Sequence, residues 1–178
     1  MKYWYDTEFI EDGKTIDLIS IGIIAEDDRE FYAESIEADL FRANDWVRDN
    51  VISQLWSQQA DKREGNQWLR EGGCGGFWHR QEIANGILSF VGHDKPEFWA
   101  YYADYDWVAL CQLYGRMIDL PKGWPMYCRD LKQWCDSIGN PRLPKQDKEH
   151  HALADARWTR DAWLFLQAKE KLGEHEGV

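Results

Sequence analysis

The fold is indicated first by residues 3–25, which read YWYDTEFIEDGKTIDLISIGIIA. The segment 3–9 is rich in aromatic side chains, and 18–25 is a nearly continuous apolar run, as expected for a strand buried on both faces. Residues 30–36 partly alternate between apolar and polar side chains after an Asp27–Asp28 turn. The pattern predicts three consecutive strands joined by short acidic turns, which is a β-meander.

Beyond this meander, the apolar side chains recur mostly at helical spacing. Helices are predicted over residues 39–55, with Asp39 as N-cap, and over 81–91, 106–114, 128–138 and 152–172. A fourth strand is predicted at 97–103. Loops are predicted at 139–149 and at 57–76, the latter as an insertion or flexible loop with a short helix around Trp68. This order predicts an α/β fold with a mixed sheet flanked by helices.

Length and charge limit the possible functions. A chain of 178 residues suits one domain, 1–178. A net charge of −11, from 32 acidic and 21 basic residues, argues against a clamp that holds long duplexes through a basic surface. It is compatible with a compact site that takes a short single strand. The four cysteines lack zinc-ligand spacing, and we find no signal peptide or membrane-spanning run, so we expect a cytoplasmic protein without a membrane partner.

Asp6 and Glu8 form a D-x-E pair in the first predicted strand. Side chains two residues apart in a strand point to the same face, so both carboxylates can reach one cation site. Both also interrupt an otherwise apolar strand, where an unpaired carboxylate is costly to bury. The alternative explanation is a solvated pair on an edge strand.

Two further acids lie near the starts of predicted helices. Asp106 follows the fourth strand, from which it could project over the sheet or simply cap the next helix, and Asp104 competes for the same role. Asp155 borders an apolar face of the last helix. That face is formed by Ala152, Ala156, Thr159, Trp163 and Leu166.

Two adjacent histidines precede the last predicted helix. His151 lies four residues before Asp155 and could form an ordinary helical pair with it. His150 lies on the preceding Pro- and Lys-rich loop, from which it could swing toward a site at Asp155.

Taken in chain order, the motifs D-x-E, Y-D-x-x-x-L and H-x-x-x-x-D resemble the signature of the DEDDh branch of the ribonuclease-H-like exonucleases. Within this branch, WYDTEFIEDGKTIDLISIGIIAEDDREFYA and YDWVALCQLYG are similar to polyadenylate-specific exoribonucleases of mycobacteria. The resemblance covers most of the chain, and 57–76 is its weakest part. It implies a ribonuclease-H-like mixed sheet and a homodimer.

The resemblance also implies a metal site with four acidic ligands. The matching positions are Asp6, Glu8, Asp106 and Asp155. Asp106 is preferred over Asp104 because the family's hydrophobic position four residues later falls on Leu110. Four converging carboxylates repel one another, and two Mg²⁺ ions, for which Mn²⁺ can substitute, would balance their charge.

His150 matches the general base of the family, because four residues separate it from Asp155, whereas three separate His151. The backbone around Thr7 and the ring of Phe9 match positions that cradle the terminal nucleotide in relatives.

The expected function is therefore a 3′→5′ exoribonuclease that acts on single-stranded RNA, with a preference for polyadenylate, and releases nucleoside 5′-monophosphates. Two alternatives stay open at this point. One is a 3′→5′ exonuclease on single-stranded DNA, of the repair or proofreading type. The other is a nucleic-acid-binding module that kept the fold and lost the chemistry.

Overall fold

A computed structural model describes residues 1–58 and 73–176, and within them a six-stranded mixed sheet forms the centre of the fold. The strands are β1 (Lys2–Glu11), β2 (Ile16–Ala25), β3 (Glu30–Ser35), β4 (Gly73–Trp78), β5 (Glu97–Ala100) and β6 (Arg129–Asp130). Their order in the sheet is β4-β3-β2-β1-β5-β6. The first three strands pair antiparallel, whereas β4, β5 and β6 each pair in parallel with a neighbour. The predicted ribonuclease-H-like mixed sheet with an initial meander is confirmed.

Helices cover both faces of this sheet. They are α1 (Asp45–Asn50), α2 (Arg80–Val91), α3 (Asp104–Gln112), α4 (Leu131–Ser137) and α5 (Ala152–Glu176). Short 3₁₀ helices occur at Leu40–Arg42, Ile52–Gln54, Trp56–Gln58 and Met117–Asp119. No helix in the described part of the chain combines the length and hydrophobicity needed to cross a lipid bilayer.

Alternate side chains of β1 point to opposite faces, and each face has its own apolar core. Tyr3 and Tyr5 pack with residues of α2 and α3. Trp4 packs on the other face, where its ring lies 5.5 Å from that of Trp163 in α5. Residues 6 and 8 follow Trp4 at two-residue spacing, so they emerge on the α5 face.

The predicted loop at 57–76 is wrong at both ends. Trp56–Gln58 is a 3₁₀ helix, and Gly73–Trp78 is the strand β4, which pairs with β3 along its whole length. Glycines indicated a loop, but here they permit close strand pairing: a Cβ on Gly75 would overlap the backbone of Tyr32. The predicted short helix around Trp68 lies outside the described residues.

The helix predicted over 39–55 is broken into short pieces. Asp39 caps only the first 3₁₀ turn, and α1 begins after a new cap at Asn44, whose side chain accepts a hydrogen bond from the Val47 N–H at 2.9 Å. Local side-chain caps of this kind compete with helix continuation.

Other predicted ends of helices and strands differ from the observed ones by a few residues. The strand predicted at 97–103 ends at Ala100, and α3 begins at Asp104 instead of residue 106. The helix predicted at 128–138 begins only at Leu131, since the preceding residues extend the sheet as β6 and Asp130 caps α4.

Candidate active site

Asp6 and Glu8 lie on the α5 face of β1, as the D-x-E spacing predicted. Their carboxylates and that of Asp155 offer oxygen atoms within 4.8 Å of one another. Asp6 is partly exposed, while Glu8 and Asp155 are buried. A bulge in the pairing of β1 with β2 follows Glu8 directly. The solvated edge-strand alternative is therefore wrong, because β1 lies inside the sheet and its two acids face a third.

Asp155 reaches β1 because the first turn of α5 lies directly on the sheet. Gly22 of β2 is paired with Asp6, and a Cβ at Gly22 would overlap the backbone of Leu153. Only a residue without a side chain allows this close approach of helix and strand. The glycine thus positions Asp155 next to the two strand acids.

The Asp155 carboxylate is oriented by donors from the chain that precedes α5. The backbone N–H of His151 donates to its Oδ2 at 3.1 Å, and the side-chain amide of Gln146 donates to its Oδ1. The carboxylate also lies in the first turn of α5, where the helix dipole favours negative charge.

Asp106 approaches the same end of β1 from the opposite face of the sheet. Its Oδ1 accepts hydrogen bonds from both the N–H (2.9 Å) and the hydroxyl (2.6 Å) of Thr7, which lies between the two strand acids. Asp106 is buried and is the third residue of α3, whose N-cap is Ala103. Asp104 is exposed, so the structure favours Asp106 over both the rival acid and the simple capping explanation.

Burial raises the pKa of all four carboxyls, and repulsion by neighbouring acids adds to the shift for Asp6, Glu8 and Asp106. Burial has the largest effect in each case. It raises the pKa of Asp6 well above its ordinary value, with Asp106, Glu8 and Asp155 adding to the shift. The pKa of Glu8 rises to about 9, with the charge of Asp155 as the next cause. The pKa of Asp106 rises only to about 7, because the Thr7 hydrogen bonds oppose burial. Similarly, a hydrogen bond with Glu8 and backbone donors at His150 and His151 limit the pKa of Asp155 to about 6.

The donor set fits hard divalent cations. Carboxylate oxygens are the ligands that Mg²⁺ and Mn²⁺ prefer. Within residues 1–58 and 73–176, no lysine or arginine forms an ion pair with any of the four acids. Burial and crowding of these carboxyls oppose their ionisation at neutral pH, and bound cations would favour the ionised forms.

The two histidines, His150 and His151, have different surroundings. His150 lines the cleft that contains the four acids, and its ring meets that of Trp46 edge to face at 4.7 Å. His151 turns away and stacks on Tyr32 at 4.8 Å with an interplanar angle of 17°. Its Nδ1 accepts a hydrogen bond from the Ala154 N–H at the start of α5. The geometry thus favours His150 as the histidine that can meet a substrate.

The sequence of this chain is similar to those of known proteins. Residues 1–167 match the family described as the 3′-5′ exoribonuclease Rv2179c-like domain. The chain belongs to the Rv2179c-like family. Two proteins of Mycobacterium tuberculosis, named 3′-5′ exoribonuclease Rv2179c and 3′-5′ exoribonuclease MT2234.1, are each 44% identical to it over 168 residues, which cover 88% of this chain and 88% of each relative. The predicted relationship to mycobacterial exoribonucleases is confirmed.

In this member of the Rv2179c-like family, aromatic side chains form much of the cleft wall. The cleft has a volume of about 360 Å³. Its aromatic lining residues are Phe9, Trp46, Tyr101, Tyr102 and Tyr105. The rings of Phe9 and Tyr105 stack at 5.8 Å with an interplanar angle of 26°. Of the two positions predicted to cradle a nucleotide, Phe9 lines the cleft, and Thr7 lines it while also holding Asp106.

Several cleft residues were missed by the sequence analysis. Tyr101, Tyr102 and Tyr105 lie in the run YYADYDW around Asp106, and this density of aromatic residues beside a candidate ligand was an available signal. Gln146 and Gly22 carried no such signal, because their roles depend on contacts between distant segments.

Proposed function

We propose that this chain is a 3′→5′ exoribonuclease that hydrolyses single-stranded RNA from its 3′ end and releases nucleoside 5′-monophosphates. Asp6, Glu8, Asp106 and Asp155 would hold two Mg²⁺ ions, with Mn²⁺ as a substitute. The observation that carries the proposal is the convergence of four acids from β1, α3 and α5 in one cleft, with three of them within 4.8 Å of one another.

Each residue would have a distinct part in the reaction. Two bound cations would balance the four carboxylates and stabilise the attacking and leaving oxygens of an in-line displacement at phosphorus. His150 would accept a proton from the attacking water through an unprotonated ring nitrogen, which is general base catalysis. Its position in the lining of the cleft that contains the four acids supports this role.

The cleft wall supports a single-stranded substrate. Unpaired bases can stack on aromatic rings, whereas paired bases within a duplex cannot present their faces. Phe9, Tyr105 and Trp46 offer such rings beside the acids. A net charge of −11 also disfavours non-specific binding to long duplexes. The preference for polyadenylate rests on the family resemblance alone.

The test is a degradation assay with 5′-labelled strands of oligo(A), oligo(U), oligo(C) and single-stranded DNA. We expect ladders that shorten from the 3′ end on RNA, with oligo(A) degraded fastest, in Mg²⁺ or Mn²⁺ and not in EDTA. Adding Mg²⁺ back should restore activity. The variants Asp6→Asn and Glu8→Gln should fall to assay background, since each removes a carboxylate ligand.

Three results would contradict the proposal. Activity that persists in EDTA would exclude the two-metal mechanism. Faster degradation of DNA than of every RNA strand would favour the repair or proofreading alternative. Binding of RNA without any shortening, in either metal, would indicate a binding module.

The resemblance further predicts a homodimer, which light scattering on the purified protein would test. The described cysteines Cys111, Cys128 and Cys135 are free thiols, which fits the proposed cytoplasmic location.

A further inference from the structure

The backbone at His150 is unusual for a residue with a side chain. Its φ angle is +68°, in the left-handed region that favours glycine. Conformations of this kind persist only where surrounding contacts hold them, and they concentrate at functional sites. Contacts that fix the neighbouring peptide groups therefore decide where the imidazole points.

Two such contacts come from one distant segment, residues 45–54. The side-chain amide of Gln54 donates a hydrogen bond to the carbonyl oxygen of Glu149 at 2.8 Å, across 95 positions of sequence. That carbonyl belongs to the peptide bond that leads into His150. From the same segment, the ring of Trp46 meets the imidazole edge to face, with an interplanar angle of 76°.

The segment that carries Gln54 is itself fixed to the sheet. Val51 and Leu55 flank Gln54 and are buried in a small apolar cluster with Ile10 and Ile19. Ile10 belongs to β1 and follows Glu8 by two residues. The contact from Gln54 to Glu149 thus links the histidine loop to the strand that bears two of the acids.

We propose that Gln54 is a positioning residue for His150, a role that rests on the proposed function. Its amide fixes the Glu149–His150 peptide group and so keeps the imidazole directed into the cleft. Trp46 supports the ring from the side. Gln54 is the more informative of the two, because Trp46 lines the cleft and could contact substrate directly, whereas Gln54 is not among the described lining residues.

The test compares Gln54→Ala with wild type on a short labelled RNA at saturating Mg²⁺. The substitution removes the donor to the Glu149 carbonyl, together with the local bond from the same amide to the Asn50 carbonyl. Loss of the neutral hydrogen bond to Glu149 should lower kcat about five- to tenfold. The KM for RNA and the Mg²⁺ midpoint should stay within about twofold, because Gln54 touches neither. Gln58→Ala is the matched control: the same side chain, exposed, on the next 3₁₀ turn. It should behave as wild type. Gln54→Glu keeps the size of the side chain, removes the donor, and should reproduce the loss in kcat.

A double-mutant cycle separates positioning from general stability. If Gln54 acts through His150, Gln54→Ala should lower kcat in the wild-type background and change it by less than about twofold in the His150→Ala background. Equal losses in both backgrounds would overturn the proposal, as would a Gln54→Ala enzyme with wild-type kcat. Failure of the proposed function would look different: the wild-type chain would not degrade RNA, or His150→Ala itself would have no effect.

Discussion

The two helices that deliver acids to β1 are fixed to the sheet in different ways. On one face, Asp106 of α3 accepts two hydrogen bonds from Thr7 of the strand itself. On the other face, Asp155 of α5 accepts hydrogen bonds from Gln146 and the backbone of His151 on its own side of the cleft, and shares one with the Glu8 carboxyl of β1. Its distance from the strand depends on the packing of α5 over Gly22.

The α3 half of the site is therefore held to the strand by Thr7 donors that do not titrate, and the α5 half by packing and by a proton-dependent bond between two carboxyls. The α3 half has a direct connection from the helix acid Asp106 to Thr7 of the strand. The α5 half combines the close helix–strand contact over Gly22 with a hydrogen bond between the Asp155 and Glu8 carboxyls, which requires a proton on one of them. It also includes a loop in which the His150 backbone adopts a left-handed conformation. Substitutions in the α5 half should therefore lower activity more than comparable substitutions in the α3 half.

Among substitutions outside the four acids, the largest effect is expected from His150→Ala, which removes the proposed base from the α5 half. General base catalysis contributes about 10²–10⁴ in rate, so kcat should fall by that factor. Metal binding and the melting temperature should change little, because the side chain is partly exposed and is not a proposed metal ligand. Steady-state kinetics and calorimetric titration of Mg²⁺ would measure both.

A second variant at this position controls for the backbone. Asn tolerates the left-handed conformation better than Ala, so His150→Asn should keep the loop while still lacking a base at neutral pH. Both variants should lose activity to the same extent. Wild-type turnover in either variant would exclude His150 as the base and would leave His151 as the candidate.

Gly22→Ala should have the next largest effect, because it disrupts the packing that positions Asp155. The added methyl would overlap the Leu153 backbone and push the start of α5 away from β2. Overpacking of this kind costs about 1–3 kcal/mol, which corresponds to a fall in melting temperature of roughly 3–10 °C for a chain of this size. We expect activity to fall about 10- to 100-fold with a higher Mg²⁺ midpoint. A variant with wild-type melting temperature and Mg²⁺ midpoint would show that α5 is not held by this contact.

The sequence predicted the strand half of this site better than the helix half. The D-x-E pair could be placed on one face because strand periodicity needs no information from elsewhere in the chain. Asp106 and Asp155 could be chosen over their neighbours only through family resemblance, since an acid at a helix start has an ordinary explanation as a cap. The burial of Asp106 and exposure of Asp104 depend on tertiary packing.

The structural roles of two glycines could not be predicted from the sequence. The glycines near residue 75 indicated a loop, but they belong to a strand whose backbone lies very close to Tyr32. Gly22 sits in an apolar strand and gave no local sign that a helix end would rest on it. In both cases the requirement is set by a distant segment, so local pattern cannot reveal it.

Thr7→Val tests the α3 half and should have a smaller effect than Gly22→Ala. The substitution keeps the shape of the side chain and the backbone N–H bond, but removes the hydroxyl donor to Asp106. We expect the Mg²⁺ midpoint to rise and activity to fall by about tenfold, as for other residues that orient metal ligands. Thr15→Val is a suitable control, since that hydroxyl also donates to a carboxylate, Asp12, but on the exposed surface. A loss that exceeds that of Gly22→Ala would reverse the proposed ranking of the two halves.

The last expected effect is on stability and not on activity: the melting temperature in EDTA should depend on pH. The folded-state pKa values of Asp155, Asp106 and Glu8 are raised to about 6, 7 and 9. A carboxyl with a raised pKa stabilises the fold below its unfolded pKa of about 4, and that contribution is lost as pH rises through the folded value. The melting temperature in EDTA should therefore fall between about pH 5 and pH 9.

Saturating Mg²⁺ should reduce this slope, because cations favour the ionised carboxylates. Single variants distinguish the contributions of the strand acid Glu8 and the helix acid Asp155 to this pH dependence. Glu8→Gln should flatten the upper part of the curve, above about pH 7, since the pKa of Glu8 is the higher one. Asp155→Asn should flatten the lower part. A melting temperature in EDTA that stays constant from pH 5 to 9 would mean that these carboxyls do not crowd one another in the folded protein, which would remove the electrostatic reason for a metal centre at this end of β1.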